Sequence, residues 1–245
     1  MNVKITVDYI GTNYHGWQIQ NGHDTIQERL EKAVCDLTGQ RVTVCGSGRT
    51  DAGVHAIGQV ANFTLDDTGR SYNFVKGINH FLPQDIRVLT AEVVSDRFHA
   101  RFSAKRKTYV YRIYEGITDR AVFLNRAMRV YGSLDVDKMN QCASYLVGEH
   151  DFVSFMSTGS SVQSTVRNLY ELHAERKDGL VEITATANGF LYNMVRRLAS
   201  CLIKAGKGDI LPSDAKQILE SKDGLLIKDI VPACGLYLKS VEYDE

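Results

Sequence analysis

One carboxylate has unusual neighbours in the stretch GSGRTDAGVHA, residues 46–56, where three glycines, an arginine and a histidine accompany a single aspartate. Glycines suit a backbone at positive φ or in close approach to another body. Thr50 and Asp51 could simply close an Asx or ST turn. Alternatively, Asp51 is held for chemistry between Arg49 and His55. The stretch alone leaves both interpretations open.

A second stretch with chemical potential is RFHARFSAKRKTYVYR, residues 97–112, which holds six cations and no acid. Aromatic side chains are interleaved with these cations, and the mixture is typical of a surface that binds phosphates and stacks bases. The alternative is a solvated strand whose aromatic side chains face the core. The chain has 29 basic and 29 acidic residues and no net charge, so a nucleic-acid site would have to be local.

A third candidate is an arginine in the apolar stretch FLYNMVRRLASCLIK, residues 190–204. Apolar residues recur at helical spacing there, and the opposite side of the predicted helix carries few charges besides Arg196. Such a helix is mostly covered, and a covered guanidinium needs an anion to offset its desolvation. The anion could be a structural carboxylate, an RNA phosphate or Asp51.

The bulk composition narrows the class of protein. The 245 residues are 44% hydrophobic, enough for one large domain or two small ones. Five scattered cysteines without a C-x-x-C pair favour reduced thiols, and the histidines lack the spacing of a metal site. No secretory or membrane segment is evident. We therefore expect a soluble, cytoplasmic protein with no metal.

The order of predicted elements indicates the fold. Apolar spacing and capping residues predict helices over residues 25–37, 71–83 and 135–147, from about Phe190 and from Ser213. Alternation predicts strands between them, including one over 41–46 and a hairpin that turns at residues 178–179. The order strand, helix, strand, strand, helix, strand occurs twice. It predicts an α+β protein with two tandem ferredoxin-like, or RRM-like, halves, residues 1–104 and 105–245, whose antiparallel sheets line a central cleft.

Six stretches together resemble the tRNA pseudouridine synthase TruA family. They are GRTDAGVHA (48–56), FHARFSAKRKTYVYRI (98–113), NGFLYNMVRR (188–197), CGLYL (234–238), DYIGTNYHGWQIQ (8–20) and GINHFLPQDI (77–86). The resemblance spans nearly the whole chain in order. It implies an isomerase that converts uridines 38, 39 and 40 of the tRNA anticodon arm to pseudouridine. It also implies that no cofactor is needed and that the protein is a homodimer holding the tRNA elbow and anticodon stem-loop.

The resemblance also implies roles for individual residues. Asp51 would be the nucleophile, and Arg196 the cation that keeps it ionised. Tyr109 would stack on the flipped uracil and could help to remove the C5 proton, whereas Tyr111 on the same strand is interpreted as a core residue. Arg49 would contact the RNA backbone or fill the gap left by the flipped base.

The remaining candidates are weaker. His55 could contact RNA or stabilise its own loop. The cations of the basic stretch would bind tRNA; these substrate-binding candidates are Arg101, Lys105 and Arg106.

Two other functions compete with this one. A non-catalytic RNA-binding protein with paired ferredoxin-like sheets would need the basic stretch but not Asp51. A glycosidase or nucleoside hydrolase usually needs a second carboxylate at a fixed separation, and no other acid stands in a comparable motif. The sequence leaves open whether Asp51 attacks C6, attacks C1′ or abstracts a ribose proton.

Overall fold

The computed structural model describes residues 1–66, 70–159 and 162–244. Helices and strands alternate through these residues, so the protein is of the mixed α+β class. Within them, no helix is long and apolar enough to cross a membrane. The α-helices of the described residues are α1 (Ile26–Thr38), α2 (Phe74–Phe81), α3 (Val136–Ser144), α4 (Met194–Lys207) and α5 (Asp214–Ser221).

Along the chain, strands precede, separate and follow these helices. They are β1 (Asn2–Tyr9), β2 (Cys45–Gly46), β3 (His55–Thr64), β4 (Ile86–Val94), β5 (Ala104–Glu115), β6 (Met128–Val130), β7 (Gly148–Asp151), β8 (Val166–Lys177), β9 (Leu180–Ala187) and β10 (Leu236–Tyr243). The chain divides into two compact units, one formed by residues 1–105 with the C-terminal residues from Tyr237, the other by residues 106–236.

In the first unit, β1 pairs antiparallel with both β3 and β4, and the short β2 pairs with β3. The alternate residues Val3, Ile5 and Val7 of β1 are fully or almost fully buried, as expected for a strand with one face on the core. The helices α1 and α2 pack against each other. The sheet and helices together hold both ends of the loop that contains Asp51.

The last strand lies in the first unit, which differs from the predicted division at residues 104 and 105. Tyr237 and Leu238 of β10 pair in parallel with His55 and Ala56 at the start of β3. Alternation along a strand shows which side chains are buried but not which strand is its neighbour. The sequence therefore could not assign β10 to its unit.

In the second unit, β8 and β9 form the predicted hairpin, which turns at Asp178 and Gly179 with φ values of 51° and 77°. Positive φ at both central residues is the requirement of a type I′ turn, and Asp-Gly supplies it. β9 also pairs antiparallel with β5, β7 pairs with β8, and β6 runs parallel to β5. α3 packs on both α4 and β8.

Capping explains where the helices begin. The predicted start of α1 is confirmed, because the Thr25 side chain accepts a hydrogen bond from the amide of Glu28. The predicted start of α2 at Ser71 is wrong: the helix begins at Phe74, where the Asn73 side chain accepts from the amide of Lys76 at 3.0 Å. Serine and asparagine are both good N-cap residues, and the structure uses Asn73, which lies nearer the apolar residues of the helix.

Two other predicted elements are shorter than the sequence pattern suggests. The helix predicted over 135–147 ends at Ser144. The strand predicted over 41–46 is reduced to Cys45 and Gly46, since the amide of Val44 donates to the Glu31 side chain at 2.9 Å. A side chain from α1 thus takes a donor that a longer strand would have used in its ladder.

The cap of α2 gives a stability prediction. Replacing Asn73 by alanine removes the acceptor for the Lys76 amide, so we expect the free energy of unfolding to fall by about 1 kcal/mol. Asn73→Ser keeps a side-chain oxygen and should lose only a few tenths. Urea unfolding followed by circular dichroism measures both variants. Equal stability of the alanine variant and the parent protein would contradict this role of Asn73.

Candidate active site

The loop that carries Asp51 connects β2 to β3, and its first half is bound to the middle of β3. The amide of Ser47 donates to the carbonyl of Val60 at 2.7 Å, and its hydroxyl donates to the Gln59 side chain at 2.7 Å. The Gln59 amide group then donates to the carbonyl of Gly48 at 3.0 Å. Ser47 and Gln59 are fully buried. This polar network fixes the path of the chain toward Asp51.

Thr50, the residue before Asp51, is fixed from two other segments of the first unit. Its hydroxyl shares a buried hydrogen bond of 2.8 Å with the hydroxyl of Tyr9, and its carbonyl accepts from the amide of Trp17 at 3.0 Å. Burial raises the pKa of Tyr9 to about 12, so its hydroxyl keeps its proton at neutral pH. Trp17 is almost completely buried. The residue next to the carboxylate is therefore locked in place.

Asp51 itself opens a tight turn. Its main-chain carbonyl accepts from the amide of Val54 at 3.1 Å, and Gly53 within the turn has a φ of 77° and donates to the carbonyl of Tyr14 at 3.3 Å. A main-chain hydrogen bond thus closes a turn at Asp51, whereas the sequence suggested an Asx or ST turn, which a side chain closes. The Asp51 side chain is half-buried. A turn and a chemical role for this carboxylate are consequently compatible.

The two charged neighbours of Asp51 in the sequence have different environments. Arg49 is exposed, and its Nε donates to the Gln18 side chain at 3.0 Å. His55 is fully buried; its Nδ1 accepts from the amide of Gly11 at 3.0 Å, and its ring stacks on Tyr237 at 4.6 Å. Burial and these contacts favour the loop-stabilising role for His55 over the RNA contact that was also considered.

In the second unit, Tyr109 lies on β5 opposite Ala185 of β9. Only a small part of Tyr109 is exposed, and its ring meets the edge of Phe190 at a centroid distance of 5.2 Å and an angle of 86°. Edge-to-face packing of this kind holds an aromatic ring in one orientation. Tyr111, in contrast, is fully buried and donates to the carbonyl of Pro232 at 2.9 Å, so it is a core residue as predicted.

Arg196 lies in the first turn of α4, which begins at Met194 and not near Phe190 as predicted. The reason is Asn193, whose left-handed backbone at φ 59° prevents the helix from extending further toward the N terminus. The Asn193 side chain accepts from Nη1 of Arg196 at 2.9 Å, and Nε of Arg196 donates to the carbonyl of Val231 at 2.8 Å. The half-buried guanidinium is thus oriented by two neutral oxygens.

The neighbouring Arg197 is held by main-chain carbonyls of the second unit. Its Nη1 donates to the carbonyls of Ser154 and Gly224 at 3.3 and 3.1 Å, and burial lowers the pKa of its guanidinium. It therefore ties the end of α4 to two loops of the second unit. Nη1 of Arg197 thus bonds to main-chain carbonyls, whereas Arg196 also bonds to the side chain of Asn193.

The three cations predicted to bind tRNA from the basic stretch are all exposed. In the first unit, Arg101 lies 5.7 Å from the ring of exposed Phe102, and Lys105 forms an ion pair with Asp244 at 2.7 Å that raises the pKa of the lysine. In the second unit, Arg106 lies 4.7 Å from the ring of Tyr170. Exposed guanidinium–aromatic pairs offer both charge and a stacking plane.

Comparison with known proteins decides the family. The family model for tRNA pseudouridine synthase matches residues 5–103 and 142–244. The tRNA pseudouridine synthase A of Ruminiclostridium cellulolyticum is 43% identical over 242 residues, covering 98% of this chain and 99% of that protein. The tRNA pseudouridine synthase A of Acetivibrio thermocellus is 42% identical, covering 99% of each. The chain belongs to the tRNA pseudouridine synthase family. The resemblance found in the sequence is confirmed, and the protein is an enzyme of the isomerase class.

For this member of the tRNA pseudouridine synthase family, the described residues contain no group of three or more histidine, cysteine or acidic side chains placed to hold a metal ion.

The structure also shows contacts of three residues whose roles sequence reasoning missed. Tyr9 and Gly16 lie inside the DYIGTNYHGWQIQ stretch, and Asn193 lies inside the helix predicted from about Phe190. The only indication of these roles in the sequence is that all three residues lie in stretches that resemble the family.

Gly16 shows how closely that stretch approaches the Asp51 loop. Its φ is 86°, and a Cβ atom added there would lie 2.4 Å from the carbonyl oxygen of Thr50 and 3.0 Å from the carbonyl carbon of Asp51. No side chain fits at that distance. Glycine is therefore required at position 16 both for its backbone conformation and for the space it leaves.

The tRNA pseudouridine synthase activity should be sensitive to this contact. We expect Gly16→Ala to displace the Asp51 loop and lower turnover by more than about tenfold, because small misplacements of a catalytic group are costly. Gly39→Ala is the matched control: Gly39 has a φ of 76° but no heavy atom within 4 Å of the added Cβ. It should lose about 1 kcal/mol of stability and keep its turnover. Equal turnover in the two variants would contradict the steric argument.

Proposed function

We propose that this chain isomerises uridines 38, 39 and 40 of the tRNA anticodon stem-loop to pseudouridine, with Asp51 as the nucleophile. The observation that carries the proposal is the Asp51 loop, in which a half-buried carboxylate follows a residue locked by Tyr9 and Trp17. A covalent catalyst needs its nucleophile held in one geometry before substrate arrives. The hydrogen bonds of this loop provide that restraint.

The reaction itself requires few external components. The N1–C1′ bond breaks, the uracil turns, and a C5–C1′ bond forms; C5 loses a proton and N1 gains one. The target base must leave the stack before a side chain can reach it. Asp51 would form a transient bond to the sugar or to the base. The balance involves no oxidation, so no redox cofactor is required.

Two residues of the second unit are proposed to assist. Arg196 would favour the ionised form of Asp51, since an arginine near a carboxylate lowers the pKa of that acid. Its orientation by Asn193 and Val231 supports this role, because the two hydrogen bonds restrict the position of the guanidinium. Tyr109 would stack on the flipped uracil, and its hydroxyl would assist removal of the C5 proton.

The remaining parts of the proposal concern assembly. Arg49 and the exposed cations Arg101, Lys105 and Arg106 would contact the tRNA backbone, and Arg49 would alternatively fill the gap left by the flipped base. A homodimer in the cytoplasm would hold the elbow of the tRNA with one subunit while the other acts on the anticodon arm. The predicted cleft between two ferredoxin-like halves belongs to this proposal as well.

The decisive variant is Asp51→Asn, which removes the ionised oxygen without changing the size of the side chain. We expect tritium release from C5-labelled uridine in tRNA to fall by more than about 1,000-fold. Affinity for tRNA should stay within about threefold, since phosphate contacts dominate it.

Asp36→Asn is the matched control for Asp51→Asn, because Asp36 pairs with Lys32 on the exposed face of α1. It should retain full activity. Substantial pseudouridine formation by Asp51→Asn would eliminate the nucleophile assignment. A protein that binds tRNA but releases no tritium even in its parent form would be the non-catalytic binding protein.

Tyr109→Phe tests the proton-transfer role. The substitution keeps the ring and its packing against Phe190. Loss of the hydroxyl should slow single-turnover pseudouridine formation by about 100-fold or more, the contribution typical of general acid–base catalysis. Tyr114→Phe, on the same strand, removes a hydroxyl that donates to Asp119 and should leave the rate intact. A normal rate for Tyr109→Phe would restrict Tyr109 to stacking.

A further inference from the structure

The segment between a short 3-10 helix (Gly11–Asn13) and α1 presents two histidines to solvent as a closely packed pair. Gln20 and His23 form a β-bridge closed by a hydrogen bond from the His23 amide to the Gln20 carbonyl at 3.2 Å, with Gly22 at φ 78°. This turn brings the His23 ring against that of His15, at a centroid distance of 4.1 Å and an angle of 33°. Both histidines are exposed.

The histidine pair stands on a firmly bonded support. The amide of His15 donates to the carbonyl of Asp24 at 2.9 Å, and the carbonyls of Gly16 and Trp17 accept from the first two amides of α1, at 3.2 and 3.0 Å. The Ile19 amide donates to the side chain of Gln27 at 3.3 Å. The pair is thus carried by a hydrogen-bonded turn that holds the two rings in place.

The same turn is joined directly to the Asp51 loop. Gly16, next to His15, packs on the carbonyl of Thr50, and the Trp17 amide donates to that carbonyl. On the other side, Gln18 accepts from the guanidinium of exposed Arg49. The turn that carries the histidines is therefore bonded both to the Asp51 loop and to the proposed RNA contact Arg49.

The charges around the pair leave it suited to an anionic partner. Asp24 is the acid nearest to it, and its carboxylate accepts two hydrogen bonds from Arg29, one of them from Nε at 2.7 Å. These bonds, with smaller help from His15, lower the pKa of Asp24. Tyr14 below the turn donates to Asp85 at 2.6 Å. The negative charge of Asp24 is thus matched by Arg29, and Arg49 adds a cation.

From this arrangement we propose that the His15–His23 pair binds the tRNA strand beside the target uridine. Imidazole planes stack on unpaired bases, and their ring N–H groups donate to phosphate oxygens. An exposed pair of imidazoles adds little to folding, and no group of three or more metal-ligand side chains was found among the described residues. The inference rests on the proposed function, because it takes the nucleic acid on this surface to be the substrate of Asp51.

The test compares His15→Ala/His23→Ala with the parent enzyme in tRNA binding and single-turnover kinetics. We expect the dissociation constant for tRNA to rise about tenfold, as for the loss of one base–aromatic stack. The rate at saturating tRNA should stay within about twofold, since the pair touches no reacting atom. His80→Ala is the control: His80 is an exposed histidine of α2 that packs edge-on against Phe81, and its loss should change neither quantity.

Unchanged tRNA affinity in the double variant would overturn the proposal. If the rate at saturating tRNA falls at the same time, the pair is a support for the Asp51 loop. If Asp51→Asn abolishes turnover while the double variant binds normally, only this inference fails. If Asp51→Asn keeps its activity, the proposed function fails independently.

Chemical protection provides a second measurement on the unmodified protein. Diethyl pyrocarbonate modifies exposed imidazoles, and mass spectrometry locates the modified peptides. Saturating tRNA should protect His15 and His23 and leave His80 reactive. Equal modification of all three histidines with and without tRNA would contradict the proposal.

Discussion

The restraint on which the site depends is the buried hydrogen bond between the hydroxyls of Tyr9 and Thr50. Removing the Tyr9 hydroxyl would leave the buried Thr50 hydroxyl without this hydrogen bond, at a cost of about 1–3 kcal/mol. Tyr9 ends β1 and Thr50 precedes Asp51, so this one bond connects β1 to the loop that carries the proposed nucleophile. The Trp17 amide and the Ser47–Gln59 network then fix the loop from two other sides. The sheet thereby holds the chain that leads to Asp51.

The second unit uses a different device for the same purpose. There, an asparagine with left-handed backbone starts α4 and holds the arginine three residues later with its own side chain. Val231, far away in the chain, supplies the second oxygen. A long, flexible side chain such as arginine loses much of its rotamer freedom in this arrangement. Each unit therefore uses polar contacts to hold one charged residue, Asp51 in the first unit and Arg196 in the second.

Several features that depend on short-range bonds or on strand alternation were readable from the sequence, although the cap of α2 at Asn73 was not. The Thr25 cap, the Asp178–Gly179 turn and the burial of Tyr111 depend on residues close together or on strand alternation, and all three were predicted. Long-range bonds were not readable. The pairing of β10 with β3 and the use of the Val44 amide by Glu31 are decided only by the assembled fold.

The same division applies to the candidate site. The motif around Asp51 identified the residue through family resemblance, but the contacts of Tyr9 and Trp17 with Thr50 join residues more than 30 positions apart. The predicted start of α4 near Phe190 is wrong for a local reason. The left-handed conformation of Asn193 interrupts a stretch whose apolar spacing is otherwise helical. Spacing of apolar residues reports which face is buried and does not report the backbone angles of a single polar residue.

The most direct test of the central claim is to trap the bond that Asp51 is proposed to form. An anticodon arm with 5-fluorouridine at position 39 replaces the C5 proton by fluorine, which cannot leave as a proton, so a covalent intermediate should persist. Peptide mass spectrometry of the enzyme incubated with this RNA should place the added nucleotide mass on Asp51. An adduct on another side chain, or pseudouridine chemistry on normal tRNA with no adduct on Asp51, would contradict the account.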